Sequence, residues 1–532
     1  MNYTYADTKC GRLRGVLQDN SDGSQVHVFK GVPYAAPPVG ELRFRHPAPP
    51  LPWEGTRDAI EFGNRAIQGA APFKDPEPQY MKYNAERERM RATAKPYKPA
   101  PQSEDCLFLN VWTPAVGDGK KRAVMVWCHG GGYTNGSGDR PWYDGSNLAA
   151  HEDVVVITFN HRLAVWGYFY LADCEDKSYA NDVNAGLMDM TAVLRWIHDN
   201  IEAFGGDPDN VLVFGQSGGG QKVCAIACMP SCKGLVHKGI SMSGGFFTLP
   251  LEPMKQISHE ILDKLGVPTT DLSALATLPA EVIQKAYVEV IEVHKEGADF
   301  GACLDPVADG TVIPCSPFDE DFGKINPEFV FMSGTTKDDG RLECSLEGRL
   351  YEINTPETVQ AEMVRLHLPA EYAAQAYADY MKQLPAGSEP NDVLCAYLTD
   401  IRFRQAAIKQ AELRAKLPEC APVYMYSFDW DCPSKQEKAF HGEENAFLFR
   451  NLENAPGLTT NPADGHELLQ DLYSGALANF AKTGDPNFPG LPAWHPYDLT
   501  TRATMVFDTV CHEEQDPGKA GRELMDKVTY VK

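Results

Sequence analysis

The run Val211-Leu212-Val213-Phe214-Gly215-Gln216-Ser217-Gly218-Gly219-Gly220 constrains this chain more than any other stretch. Its four leading apolar residues, too few for a buried helix and partly β-branched, read as a strand. The strand breaks at Gly-x-Ser-x-Gly, and a helix-compatible segment follows. Glycines at 215 and 219 permit a turn so tight that the Ser217 hydroxyl stands clear of the strand tips. A nucleophile needs that exposure, because it must reach a carbonyl carbon while a base reaches it.

The strand-then-turn pattern recurs along the chain. Short apolar runs at Ala123–Cys128, Val154–Phe159, Lys238–Met242, Phe329–Met332 and Val423–Phe428 each precede turns rich in glycine and polar residues. Amphipathic segments such as Leu187–Ile201 separate several of them. Alternating strands and helices imply an α/β chain with a largely parallel sheet covered on both faces. The segment Gly11–Tyr34 reads as antiparallel strands about an Asp22-Gly23 turn, so the sheet is expected to be mixed. Two stretches break the pattern. Residues 67–102 begin and end in Pro-rich sequence around the charged piece Asn84–Arg91, and read either as a lid over the site or as a surface excursion. Residues 345–417 read as mainly helical and are expected to be a cap insertion. With no internal repeat and no low-complexity linker, residues 1–532 are expected to form a single domain carrying these insertions.

A formal net charge of −24 disfavours nucleic acid and anionic membrane surfaces as partners. No apolar run of about 18 residues is present to span a membrane. The N-terminal residues Met1–Asp7 lack the basic and apolar regions of a signal peptide. The 14 cysteines show no metal-type spacing, and Cys224, Cys228 and Cys232 are expected to be packing thiols because Pro230 interrupts their helix. No histidine pair has zinc spacing either. These features imply a cytoplasmic protein with neither metal nor cofactor; monomer and homodimer are equally compatible with them.

A second strand, ending at Val126-Trp127-Cys128, runs into His129-Gly130-Gly131-Gly132-Tyr133. Consecutive glycines let backbone N–H groups point into a cavity unobstructed, as an oxyanion requires. The base is sought among 14 histidines. His129 belongs to the glycine turn, His198, His237, His259 and His294 read as helical, and His466 reads as a helix start. His441, in a loop after a strand, is the candidate. For the acid that orients it, the turn after Phe329–Met332 offers Asp338 and Asp339, with Glu343 a third option.

The chain resembles the type-B carboxylesterases, the family that includes bacterial para-nitrobenzyl esterases and, more distantly, cholinesterases. The resemblance runs nearly end to end, through Phe29–Phe44, Ser103–Val111, Asn160–Leu163, Asn184–Asp189, Phe204–Asn210 and Gly484–Asn487. It implies an α/β-hydrolase fold, with a large mostly parallel mixed sheet flanked by helices, and the chain order Ser217, Asp339, His441 is the one such hydrolases use. It implies Ser217 as nucleophile, His441 as base and Asp339 as acid, the last because the acid directly precedes the turn glycine, here Gly340. Oxyanion N–H groups are implied at Gly131, Gly132 and Gly218. Aromatics flanking these motifs, Tyr133, Phe246, Phe247, Phe447 and Phe449, are candidates either to wall the substrate pocket or to pack in the core, and Ser243 is a candidate support for the triad.

The chain departs from the family pattern at several points. Gln216 and Gly218 replace the glutamate and alanine that usually flank the serine, and aspartate stands at 339 where glutamate is common. Cys106 holds the position of a family disulfide cysteine whose partner, in the region of residues 64–75, is absent. The aromatic that marks choline recognition would lie in this same altered region, so choline recognition is not implied. The activity implied is hydrolysis of a small carboxylic ester through an acyl-enzyme. The alternatives are a catalytically silent binding protein, such as the neuroligins of this fold, or the same triad acting on lactones, thioesters or aryl amides.

Overall fold

Thirteen strands build one sheet in the computed structural model, which describes residues 2–69, 97–245, 248–295, 304–342, 352–432, 438–454 and 465–525. They are β1 (Asn2–Thr8), β2 (Gly11–Asp19), β3 (Gln25–Pro33), β4 (Thr56–Asp58), β5 (Phe108–Thr113), β6 (Arg122–Cys128) and β7 (Val155–Phe159), then β8 (Gly206–Gln216), β9 (Lys238–Met242), β10 (Val330–Thr336), β11 (Val423–Phe428), β12 (Ala503–Phe507) and β13 (His512–Gln515). Their spatial order is β1-β2-β3-β5-β7-β6-β8-β9-β10-β11-β12-β13, with β4 beside β2. From β7 to β12 every neighbouring pair is parallel. The pairings β1–β2, β2–β3, β3–β5, β5–β7 and β12–β13 are antiparallel. The mixed, mostly parallel sheet expected from the sequence is therefore present.

Strand alternation divides the core in two. Val124 and Val126 of β6 and Val211 and Val213 of β8 face one buried cluster, whereas Met125, Trp127, Leu212 and Phe214 face another. Because both faces are covered, these strands read as continuous apolar runs rather than as alternating ones. The helix Ala185–Asn200 packs on the first face, and the helix His466–Thr483 on the second.

The expected helical insertion is present as Pro356–Arg365, Ala373–Gln383, Pro390–Thr399 and Gln405–Ala415, with a wider turn at Asp400–Arg404. Val359, Met363, Leu394 and Leu398 give it a small core of its own. Most of the candidate lid, residues 70–96, lies outside the described residues, as do Phe246, Phe247 and Glu343. Both flanks of that segment are tied to the loop after the glycine turn. Gln68 exchanges two hydrogen bonds with the Gly136 backbone (2.9 and 2.8 Å), and the Tyr97 hydroxyl donates to Asp139 at 2.9 Å.

One histidine assignment needs correction. His237 is not helical but sits just before β9, where its ring nitrogen accepts from the Val211 N–H at 3.1 Å and its own N–H donates to the Val211 carbonyl at 2.9 Å. Pairing to the start of the apolar run fixes it as extended backbone.

Candidate active site

Parallel strands lying side by side deliver their carboxyl ends to one edge of the sheet, where α/β folds place their ligands. Here that edge collects the turns after β6, β8 and β10. Gly215 of β8 pairs with Cys128 of β6 on one side and Ser241 of β9 on the other. Two residues on, Ser217 adopts φ 59°, ψ −127°, a backbone state unfavourable for a side-chain-bearing residue. It is held there because its N–H donates to the Met242 carbonyl (2.8 Å) and its carbonyl accepts from the Gln221 N–H (3.1 Å). Glycine at 219 is obligatory: a Cβ there would lie 1.9 Å from the Cys128 carbonyl oxygen. The turn is thus pressed against the end of β6, and Ser217, at the head of the helix Gly218–Cys228, stays partly exposed.

The acid and the imidazole are joined. Asp339, fully buried in the turn after β10, accepts from His441 Nδ1 at 2.8 Å through Oδ1. Its Oδ2 accepts from the Ser243 hydroxyl at 2.8 Å and the Thr336 N–H at 3.2 Å. Gly340 follows with no room for a side chain, since a Cβ would lie 2.2 Å from the Cys395 carbonyl of the insertion. Asp338 does other work: its N–H donates to the Ala439 carbonyl at 3.0 Å, pinning the loop that carries His441. The choice between the two aspartates falls to Asp339, and Ser243 is its partner as anticipated.

With Nδ1–H donating to Asp339, the lone pair of His441 lies on Nε2. The Gln216 amide nitrogen sits 3.1 Å from that Nε2 and donates to it. The ring therefore faces the 216–217 turn, and among the described residues its second nitrogen is capped by Gln216 rather than by the Ser217 hydroxyl. Phe403, whose ring centroid lies 4.7 Å from that of His441, braces the imidazole from the insertion.

The glycine turns converge beside the serine. Gly131 and Gly132 have φ of 96° and 59°, and a Cβ on Gly218 would lie 2.3 Å from the Gly132 nitrogen. Any larger residue at 218 would force the two segments apart. His129 is not a competing base: it is buried, stacks on His161 at 4.8 Å, and burial holds its ring well below the ordinary histidine range.

Two carboxyls lie directly behind His441. Glu443 and Glu444 are fully buried, and among the described residues their oxygens have no hydrogen-bond partner. Burial raises both well above the usual glutamate value near 4.5, with the neighbouring Glu444 adding to the effect at Glu443. A raised folded-state value means that the native chain keeps a proton the unfolded chain has released, so stability falls as pH climbs above about 4.5. Glu443→Gln removes the Glu443 share of that dependence and leaves that of Glu444. Calorimetry at about pH 8 is expected to show a melting temperature higher than wild type by about 2 °C or more, with the gain vanishing near pH 4.5; an equal gain at both pH values contradicts the assignment.

The candidate pocket aromatics fare differently. Phe447 and Phe449 are core residues, not pocket walls: the chain turns inward at Glu444–Leu448 and buries them completely. Phe449 packs on Trp127 and Phe214, and Phe447 on Phe428 and Trp430. Tyr133 is likewise buried, edge-on to Tyr168 at 5.3 Å, so it supports the glycine turn from behind. Phe403, the Gln216 contact and Lys222 were not anticipated from the residues; Lys222 is the one charged side chain of the helix Gly218–Cys228. Cys228 and Cys232 are buried free thiols, and Cys224 is buried beside them.

The model of the carboxylesterase family matches residues 2–521. The chain is 34% identical to a para-nitrobenzyl esterase of Bacillus subtilis (strain 168), over 99% of each sequence. It is 31% identical to a phenmedipham hydrolase of Pseudarthrobacter oxydans, over 94% of each. Among solved structures, a carboxylesterase of Geobacillus stearothermophilus superposes with a TM-score of 0.80 at 33% identity, covering 98% of this chain and 99% of the other.

Proposed function

The chain belongs to the carboxylesterase family and hydrolyses carboxylic esters, and from that premise we propose that Ser217, His441 and Asp339 perform the reaction, with the Gly131, Gly132 and Gly218 amides receiving the oxyanion. The observation that carries this reading is the Asp339–His441 bond of 2.8 Å, with the far nitrogen of the ring aimed at the serine turn. Asp339 holds the tautomer in which Nε2 is basic. As substrate enters, the Ser217 hydroxyl takes the place of the Gln216 amide on Nε2; such bonds tighten in the Michaelis complex. Oγ attacks the ester carbonyl while Nε2 takes its proton, and the oxyanion falls among the glycine amides. The alkoxide leaves with the proton returned by His441. Water, deprotonated by the same nitrogen, then cleaves the acyl-enzyme.

The substrates proposed are small, neutral, fairly apolar esters, in keeping with the strongly acidic chain. A single catalytic domain in the cytoplasm fits the free thiols at Cys106, Cys128 and Cys228, and among the described residues no helix is long and apolar enough to cross a membrane. Rapid mixing with a para-nitrophenyl ester tests the acyl-enzyme. One equivalent of nitrophenol per chain should appear in a burst before the steady state if deacylation is slower than acylation. An ester that gives neither burst nor turnover, while a lactone, thioester or aryl amide does, moves the reading to that substrate class.

A further inference from the structure

The helix that begins at Ser217 contains a charged residue in an unusual place. Lys222 is completely buried, one turn into Gly218–Cys228. Its Nζ donates to the carbonyl oxygens of His129 (3.1 Å), Gly132 (2.6 Å) and Gly218 (3.2 Å). An ammonium has three N–H donors, so all are spent on backbone, and all on the two glycine segments. The Tyr133 ring lies over the same nitrogen, 5.0 Å from its centroid. Three carbonyl oxygens converging on one point repel one another unless a cation lies between them. Gly132 and Gly218 are also in backbone contact with no space for a side chain between them.

We propose that Lys222 is a positioning residue for the oxyanion site: its ammonium gathers the His129, Gly132 and Gly218 carbonyls, fixes the amides of the two glycine segments, and places a positive charge behind them. The inference rests on the assignment of those amides given above. A point charge on a flexible stem suits three separately oriented carbonyls better than a planar guanidinium does. Buried charge without a carboxylate partner is costly, and here the cost is offset where negative charge develops during the reaction.

The ionisable groups facing Lys222 are Cys128, His129, Tyr133, His161 and Asp305. Burial pushes Lys222 down to about 7, with Cys128 and Asp305 opposing that shift. Cys128 is raised to about 12, Tyr133 lies well above its usual range, and His129 and His161 lie well below theirs. None of these four changes charge between about pH 7 and 9. Against that burial, the three carbonyl acceptors on Nζ favour the charged form of Lys222.

The test is the kinetics of Lys222→Met and Lys222→Gln, with active sites counted by fluorophosphonate titration. We expect kcat per active site at about pH 7 to fall about 10- to 100-fold in Lys222→Met, less than for loss of a direct oxyanion donor. Lys222→Gln, which keeps donors but no charge, should fall between it and wild type, and KM should stay within about threefold in both. Labelling remains at Ser217, so failure of this inference is distinguishable from failure of the triad assignment. A folded Lys222→Met protein with wild-type kcat per active site overturns the proposal.

Discussion

Replacing Ser217 with alanine lowers kcat/KM for a para-nitrophenyl ester by about 10⁴- to 10⁶-fold, the range found when a hydrolase loses its nucleophile. The loss is this large because the reaction then has no covalent route, and only water held near the glycine amides can attack. Folding should be untouched. The Ser217 side chain makes no hydrogen bond among the described residues, and the backbone bonds that hold its φ of 59° come from Met242 and Gln221. Steady-state kinetics beside a thermal melt checks both halves. A variant that is stable and still within tenfold of wild type removes Ser217 from the mechanism.

Asp339→Asn is the second large effect, expected at about 10⁴-fold in kcat. An amide can present its nitrogen to His441 Nδ1, which then becomes the acceptor and moves the ring proton to Nε2, where a base must be unprotonated. Both Asp339 oxygens already accept, one from His441 and the other from Ser243 and Thr336. With the amide nitrogen toward His441, the remaining oxygen still accepts from Ser243 and Thr336, so the fold is expected to keep its stability while the kinetics collapse. The double variant with Ser217→Ala should be little worse than Ser217→Ala alone, because residues acting as one unit do not contribute additively. Additive losses would mean that Asp339 acts elsewhere.

Much of this was legible in the residues. The strands β6 to β11 announce themselves because both their faces are buried, which makes each a short unbroken apolar run. β13 does not: its His512-Glu513-Glu514-Gln515 carries no apolar signal and is held by main-chain pairing to β12. β1 is similar at the other edge, with Tyr3 and Tyr5 exposed. At the site, Ser217 and His441 stand out locally, one by its glycines and the other by its loop. The choice of Asp339 over Asp338 needed either the resemblance or the coordinates, since only the fold shows which carboxylate turns toward the ring.

Two of the candidate pocket aromatics lie in the core for a physical reason. Phe447 and Phe449 follow His441 closely, but a helical turn carries them to the far side, against Trp127 and Phe428. Nearness along the chain is not nearness in space. Lys222 was invisible for the opposite reason. A lysine in a helix reads as a solvated residue, and only the three converging carbonyls show that it is buried.

The claim on which the whole account depends is that the Ser217 oxygen is the attacking atom. Incubation with a fluorophosphonate, followed by intact mass and peptide mapping, tests it directly. We expect one adduct per chain, on the peptide that contains Ser217, and none in Ser217→Ala. An adduct on another residue, or a wild-type chain that hydrolyses esters yet takes no label, contradicts it.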